Sequence, residues 1–124
     1  MVTGARPVLI FSADALTAAL IGAAVELSGF APVFPAGDET PRDALLRVRP
    51  GIALVDCDHE QACTETFFGP ALMARARVVI FSSSRSNRAL EPIAEQFGVR
   101  LIRLPMAVDE LARVLQELES PVRA

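Results

Sequence analysis

Short apolar runs of strand length alternate along this chain with longer segments whose apolar residues recur at helical spacing. Pro7 to Phe11 is apolar and stops at Ser12, Ala13 and Asp14, the pattern of a strand whose polar end caps the helix that follows. In that helix Leu16, Leu20, Ala23, Ala24 and Leu27 share one face and are expected to meet the core. Ser28 and Gly29 end it. Phe30 to Phe34 reads as a short strand, and Pro32, which has no N–H for a ladder, places it at a sheet edge. After a loop over Pro35 to Glu39, Thr40, Pro41 and Asp43 supply an N-cap, a first-turn proline and a capping-box-like acid for a helix up to Arg49.

Pro50 and Gly51 break into a third strand, Ile52 to Val55, which ends at Asp56. A short helix is expected from His59 to about Gly69 and Pro70, with Ala71 to Ala74 as a last turn. Arg77 to Phe81 is the next strand and runs into Ser82, Ser83 and Ser84. Ser86 to Phe97 reads as a helix, in which Pro92 is tolerated only in the first turn, and Gly98 caps it. Val99 to Leu104 is the last strand, and Pro105 turns the chain. Ala107 to Leu118 then forms an amphipathic helix with Val108, Leu111, Leu115 and Leu118 inward and Asp109, Glu110, Arg113, Gln116 and Glu117 outward. Strand and helix alternate five times with short connections. That pattern predicts an α/β fold, a single doubly wound parallel sheet of five strands with five helices and right-handed crossovers. The chain is expected to be one domain over residues 1–124, ordered over 7–118 and frayed at its ends.

Composition sharpens this picture. An apolar share of 52% and a mean hydropathy of +0.38 suit a sheet buried on both faces. The formal net charge of −3 argues against a nucleic-acid partner, because a phosphate backbone needs a basic footprint. No apolar run approaches the roughly 20 residues of a membrane span, and Met1 to Pro7 lacks the charged and apolar segments of a secretion signal. A soluble, cytoplasmic protein is the expectation. All 12 positive side chains are Arg. Cys57 and Cys63 are too few for a disulfide framework and read as free thiols.

The stretch Ile52 to Glu60, IALVDCDHE, is the first candidate for chemistry: apolar residues end abruptly in acidic ones, and ligands of an open α/β sheet bind outside the carboxyl ends of its strands. Cys57, His59 and Cys63 offer thiolate and imidazole, but structural zinc wants four ligands and the chain holds no further Cys or His. Ser82 to Ser84, with Arg85 and Arg88 nearby, read as a small-anion site or as a solvated loop. The glycines are dispersed and form no phosphate-cradling loop. The first helix is apolar on two sides, because Ala18, Ile21, Gly22 and Val25 also recur at i, i+3, i+4 and i+7. That stripe is expected to face outward and to mediate self-association or docking of another protein.

Several pieces together carry a resemblance. RPGIALVDCD resembles the strand that ends in the phosphate-accepting Asp of the receiver domains of two-component signalling, the CheY-like family; SGFAPVFPAGDETPRDAL resembles their second strand and following helix; VVIFSSS resembles the strand ending in Thr or Ser; and GVRLIRLPM followed by DELARVLQEL resembles the last strand, proline turn and last helix. The resemblance implies a flavodoxin-like sheet in the order 2-1-3-4-5, with Asp56 at the phosphoacceptor position, Ser82 at the conserved hydroxyl, and a histidine kinase or another signalling protein as partner. It also exposes departures. The acidic pair that holds Mg²⁺ in the family falls at Ser12 and Ala13, with Asp14 one step beyond; the family's Lys falls at Leu104 and its switch aromatic near Leu101.

Phosphoryl transfer onto a carboxylate needs a divalent cation and fixed positive charge. The expectation is therefore a degenerate receiver, or pseudo-receiver, noncatalytic and acting by protein contact, in which Asp56 marks the phosphoacceptor position without its usual support. Two alternatives stand beside it. One is an active receiver that takes a phosphoryl group onto Asp56 and slowly hydrolyses it. The other is a small-ligand or metal-binding flavodoxin-like domain. If Mg²⁺ binds at all, Asp14, Asp56 and Asp58 are its candidate ligands, since the loops after the first and third strands are neighbours in this topology; the competing role for Asp14 is a helix cap. No other cofactor is expected.

Overall fold

A strand can be apolar at every position only if helices cover both faces of its sheet, and the central strands obey that rule. The computed structural model describes residues 6–12, 14–56, 77–82, 90–103 and 107–119. In chain order these form β1 (Pro7–Phe11), α1 (Ala15–Leu27), β2 (Ala31–Val33), α2 (Pro41–Val48), β3 (Ile52–Asp56), β4 (Arg77–Ser82), α3 (Leu90–Phe97), β5 (Arg100–Arg103) and α4 (Val108–Glu119). The five strands make one parallel sheet in the order β2-β1-β3-β4-β5, as expected. The helix expected between the third and fourth strands lies outside the described residues, as do both chain ends.

Alternation along the strands divides the core in two. Leu9, Phe11, Ala53, Val55, Val78 and Ile80 point to the face covered by Ala44 and Leu45 of α2 and Ala94 of α3. Val8, Ile10, Ile52, Leu54, Val79, Phe81 and Ile102 point to the opposite face, where Ile21 and Val25 of α1 and Leu111, Val114 and Leu115 of α4 cover them. β2 is the edge strand that Pro32 implies. Pro92 falls within the first turn of α3, where a missing N–H breaks no helical bond, and Gly98 beyond its end has φ +66°, the left-handed geometry of a helix stop.

Two expected faces are corrected. In α1 the stripe Ile21, Gly22 and Val25, with half-buried Ala18, faces the sheet, whereas Leu16, Leu20 and Leu27 are 68%, 62% and 76% exposed. Ala18, Ile21, Gly22 and Val25 are therefore not a free surface. The physical reason is close approach. Phe34 and Pro32 lie over Gly22 so tightly that a Cβ there would sit 3.0 Å from the Phe34 ring, and the short branched side chains of Ile21 and Val25 let the helix settle on β1 and β2. In α4, Val108 is 43% exposed and Val114 takes the buried place expected of it.

The loop between β2 and α2 is pinned by a forked ion pair. Arg47 Nε and Nη2 donate to Glu39 Oε2 and Oε1 at 2.8 and 2.9 Å, Arg47 Nη2 also reaches the Phe34 carbonyl at 3.3 Å, and the Ala36 N–H donates to Glu39 Oε1 at 2.9 Å. The Arg47 hydrogen bond, followed by that of Ala36, lowers the Glu39 carboxyl from 4.5 to about 2. Its folded value lies below its unfolded one, so the contribution of this pair is complete above about pH 4.5 and is lost as pH falls through about 2. Exposure and salt screening keep that contribution small.

Two outcomes follow from this packing. At low micromolar protein, Ile21→Ala is expected to cost about 2–4 kcal/mol of unfolding free energy by urea titration, while Leu20→Ala stays within about 0.5 kcal/mol; equal losses would contradict the assigned face. Carboxyl NMR shifts followed against pH should place the Glu39 midpoint near 2 and move it back toward 4.5 in Arg47→Ala. An ordinary midpoint in the parent protein would show that the fork does not persist in solution.

Candidate functional site

Register brings β1 and β3 side by side, with Phe11 against Val55, so the residue after Phe11 arrives beside Asp56. That residue is Ser12, and its Oγ donates to Asp56 Oδ2 at 2.7 Å. Asp56 is 1% exposed and Ser82, one step past the register pair Asp56 and Phe81, is fully buried. These two are the only buried polar side chains among the described residues. Neither is orphaned, since every buried side-chain polar atom described has a hydrogen-bond partner. Burial with complete pairing is the condition under which a carboxylate and a hydroxyl are tolerated at the end of an apolar strand.

Asp14 serves the helix. It is the N-cap of α1, and its Oδ2 accepts from the Thr17 N–H at 2.9 Å and from Thr17 Oγ1 at 2.6 Å. Its backbone N–H donates to Ser12 Oγ at 3.2 Å. Ser12 Oγ thus accepts a hydrogen bond from the start of α1 and donates one to Asp56, linking the helix cap to the end of β3. Asp14 Oδ2 is turned into its own first turn.

The structure brings together Ser12, Asp14 and Asp56 of the residues singled out in the sequence. Asp58, the third candidate Mg²⁺ ligand, lies outside the described residues, as do Ala13, Cys57, His59, Cys63, Ser83, Ser84, Arg85, Arg88 and Leu104. Among the described residues no group of three His, Cys, Asp or Glu side chains is placed to hold a metal ion. Arg103, on β5, reaches Glu91 of α3 at 3.7 Å, and Leu101, near the position of the family's switch aromatic, is half-buried against the core on the α2 and α3 face. No helix among the described residues is long and apolar enough to cross a membrane.

Comparison with solved structures follows the same lines. The receiver domain of a sensor histidine kinase from Pseudomonas aeruginosa, solved with magnesium in its active-site cleft, superposes with a TM-score of 0.76 at 17% identity, covering 94% of this chain and 100% of that one. The signal receiver domain of a modulated diguanylate cyclase from Desulfovibrio desulfuricans matches at 25% identity and a TM-score of 0.74, over 93% of this chain and 94% of that one. This is the CheY-like receiver fold. A LuxR-family DNA-binding response regulator from Staphylococcus aureus matches with a TM-score of 0.74 at 13% identity, over 93% and 99% of the two chains. No protein-family profile and no curated protein sequence matches the chain.

Within the receiver fold, Asp56 and Ser82 stand at the carboxyl ends of two adjacent central strands, the place where an open α/β sheet binds its ligands. The contact that sequence reasoning missed is the hydroxyl of Ser12 on Asp56. Its signal was present: Ser12 follows the last apolar residue of its strand as Asp56 follows that of its own. Ser12→Ala is expected to lower stability by about 1–3 kcal/mol, because the buried Asp56 loses a donor, and Asp14→Ala by about 1 kcal/mol through the lost cap. Urea unfolding measures both, and a neutral Ser12→Ala would show that the bond holds nothing together.

Proposed function

We propose that the chain is a receiver-like signal-transduction module that acts through protein contact and does not rely on Mg²⁺-dependent phosphorylation of Asp56. The observation that carries this reading is the hydrogen bond from Ser12 Oγ to Asp56 Oδ2. A hydroxyl stands where the resemblance to receivers implies a carboxylate for the cation, and it occupies one oxygen of the acceptor itself. A carboxylate attacks phosphorus through a free oxygen lone pair while a cation neutralises the phosphoryl oxygens. Here one oxygen is tied to a neutral donor, and the nearest acid of β1's end, Asp14, is engaged by Thr17.

Fold alone does not set function, so the reading rests on these contacts. The partners it implies are proteins: a histidine kinase, another signalling protein or a second copy. Beryllofluoride with Mg²⁺ tests it, because the adduct mimics an acyl phosphate on the acceptor. Amide NMR spectra are expected to show no adduct at millimolar Mg²⁺. Shifts centred on Asp56 and spreading to Ser82 would overturn the proposal in favour of a self-phosphorylating receiver, and shifts with Mg²⁺ alone at Asp14 and Asp56 would favour a metal-binding domain.

A further inference from the structure

The amino ends of the central strands surround a charged cavity, at the opposite end of the sheet from Asp56 and Ser82. Its volume is about 360 Å³, within the range of pockets that take a small molecule. Arg6 precedes β1, Arg49 precedes β3 across Pro50 and Gly51, Arg77 opens β4, and all three line the cavity. Register explains the convergence: Ile52 pairs with Val8 on one side and with Arg77 on the other, so three adjacent strands begin around one opening. Two backbone bonds fix those starts, the Ala31 N–H donating to the Arg6 carbonyl and the Arg77 N–H to the Gly51 carbonyl, each at 2.9 Å. The lining holds no acid, and Pro7, Phe30, Ile52 and Leu118 supply its apolar part.

Like charges gathered in one cavity repel one another. Elsewhere in the fold Arg47, Arg100 and Arg103 each hold a glutamate. Arg49 and Arg77, by contrast, make no ion pair and no side-chain hydrogen bond among the described residues. Arg49 also stands on unusual backbone. It ends α2 in the left-handed region, at φ 50° and ψ 56°, immediately before Pro50. A residue before proline is ordinarily extended, and a left-handed helix stop is ordinarily glycine. The other positive-φ positions among the described residues, Gly29, Gly37 and Gly98, obey that rule. Ending the helix therefore does not call for an arginine at position 49, whereas bringing positive charge to the cavity does.

We propose that this cavity binds a small organic phosphate, its phosphate group held by Arg49 and Arg77 beside Arg6 and its organic body set against the apolar lining. Guanidinium groups match phosphate oxygens two at a time, and a dianionic phosphate answers clustered positive charge better than a single carboxylate does. The apolar residues favour a phosphate carried on an organic group over the bare ion. This site is separate from Asp56 and does not rest on the reading of that residue.

Amide NMR of the full chain, titrated at fixed ionic strength with phenyl phosphate and separately with inorganic phosphate, tests the proposal. Saturable shifts are expected at the amides of Gly51, Ile52 and Arg77, with phenyl phosphate bound about tenfold more tightly than inorganic phosphate through burial of its ring. Arg49→Gly separates binding from folding, because it relieves the left-handed backbone while removing the charge. Its melting temperature is expected to be no lower than the parent's, and its affinity for phenyl phosphate about tenfold weaker. Arg77→Gln, at an exposed strand start, is expected to weaken binding to a similar degree and serves in its place if Arg49→Gly does not fold. Shifts absent from these amides, phenyl phosphate bound no more tightly than inorganic phosphate, or folded variants that bind as the parent does would overturn the proposal.

Discussion

The connection between β1 and α1 spans only residues 12–14, and that short reach governs both the site and the surface of this receiver fold. Ser12 must remain beside β3 because it continues β1, and Asp14 must begin the helix at once. The hydrogen bonds through Ser12 Oγ and Asp14 Oδ2 satisfy both demands. They also fix the rotation of α1. An N-cap joined so closely to a strand end lies on the sheet side of its helix, and residues four, seven and eleven places further share that side. Those residues are Ala18, Ile21 and Val25, half-buried, buried and fully buried respectively. Leu16, Leu20 and Leu27 are turned to solvent by the same geometry.

The sheet itself was legible because each of its strands is an apolar run bounded by a turn former, and a parallel sheet covered on both faces needs no alternation to place it. Pro32 identified the edge, Thr40 and Pro41 the start of α2, and Gly98 the end of α3, each through a backbone property that no packing can override. The phase of α1 was not legible from periodicity. Leu16, Leu20 and Leu27 form a stripe more hydrophobic than Ala18, Ile21, Gly22 and Val25, and area burial alone favours the former. The decision was made by the cap and by the close contact of Gly22 with Phe34, neither of which a hydrophobicity pattern records. Val108 failed for a similar reason, since the first residue of an amphipathic helix has less of the core to meet.

At the site, the acceptor-like Asp56 and the hydroxyl of Ser82 were legible as strand ends, and their burial follows from that position. What the pattern did not convey was direction. Ser12 and Asp14 are both residue types that cap helices, and it is their hydrogen bonds that divide the labour: Asp14 holds the helix while Ser12 turns to Asp56. Placing Asp14 one step beyond the receiver's acidic pair changes its chemistry: at the N-cap a carboxylate is drawn to the N–H groups of its own first turn.

The hydroxyl on Asp56 and the outward turn of the α1 leucines meet at the same short connection, residues 12–14. The receivers this chain resembles devote the end of their first strand to carboxylates that must stay open to a cation. Ser at that point closes the end of β1 onto β3 with a hydrogen bond from a neutral hydroxyl, which requires no cation to hold it together. Since α1 begins at the same residues, its rotation, and with it the outward turn of Leu16, Leu20 and Leu27, is set next to that bond.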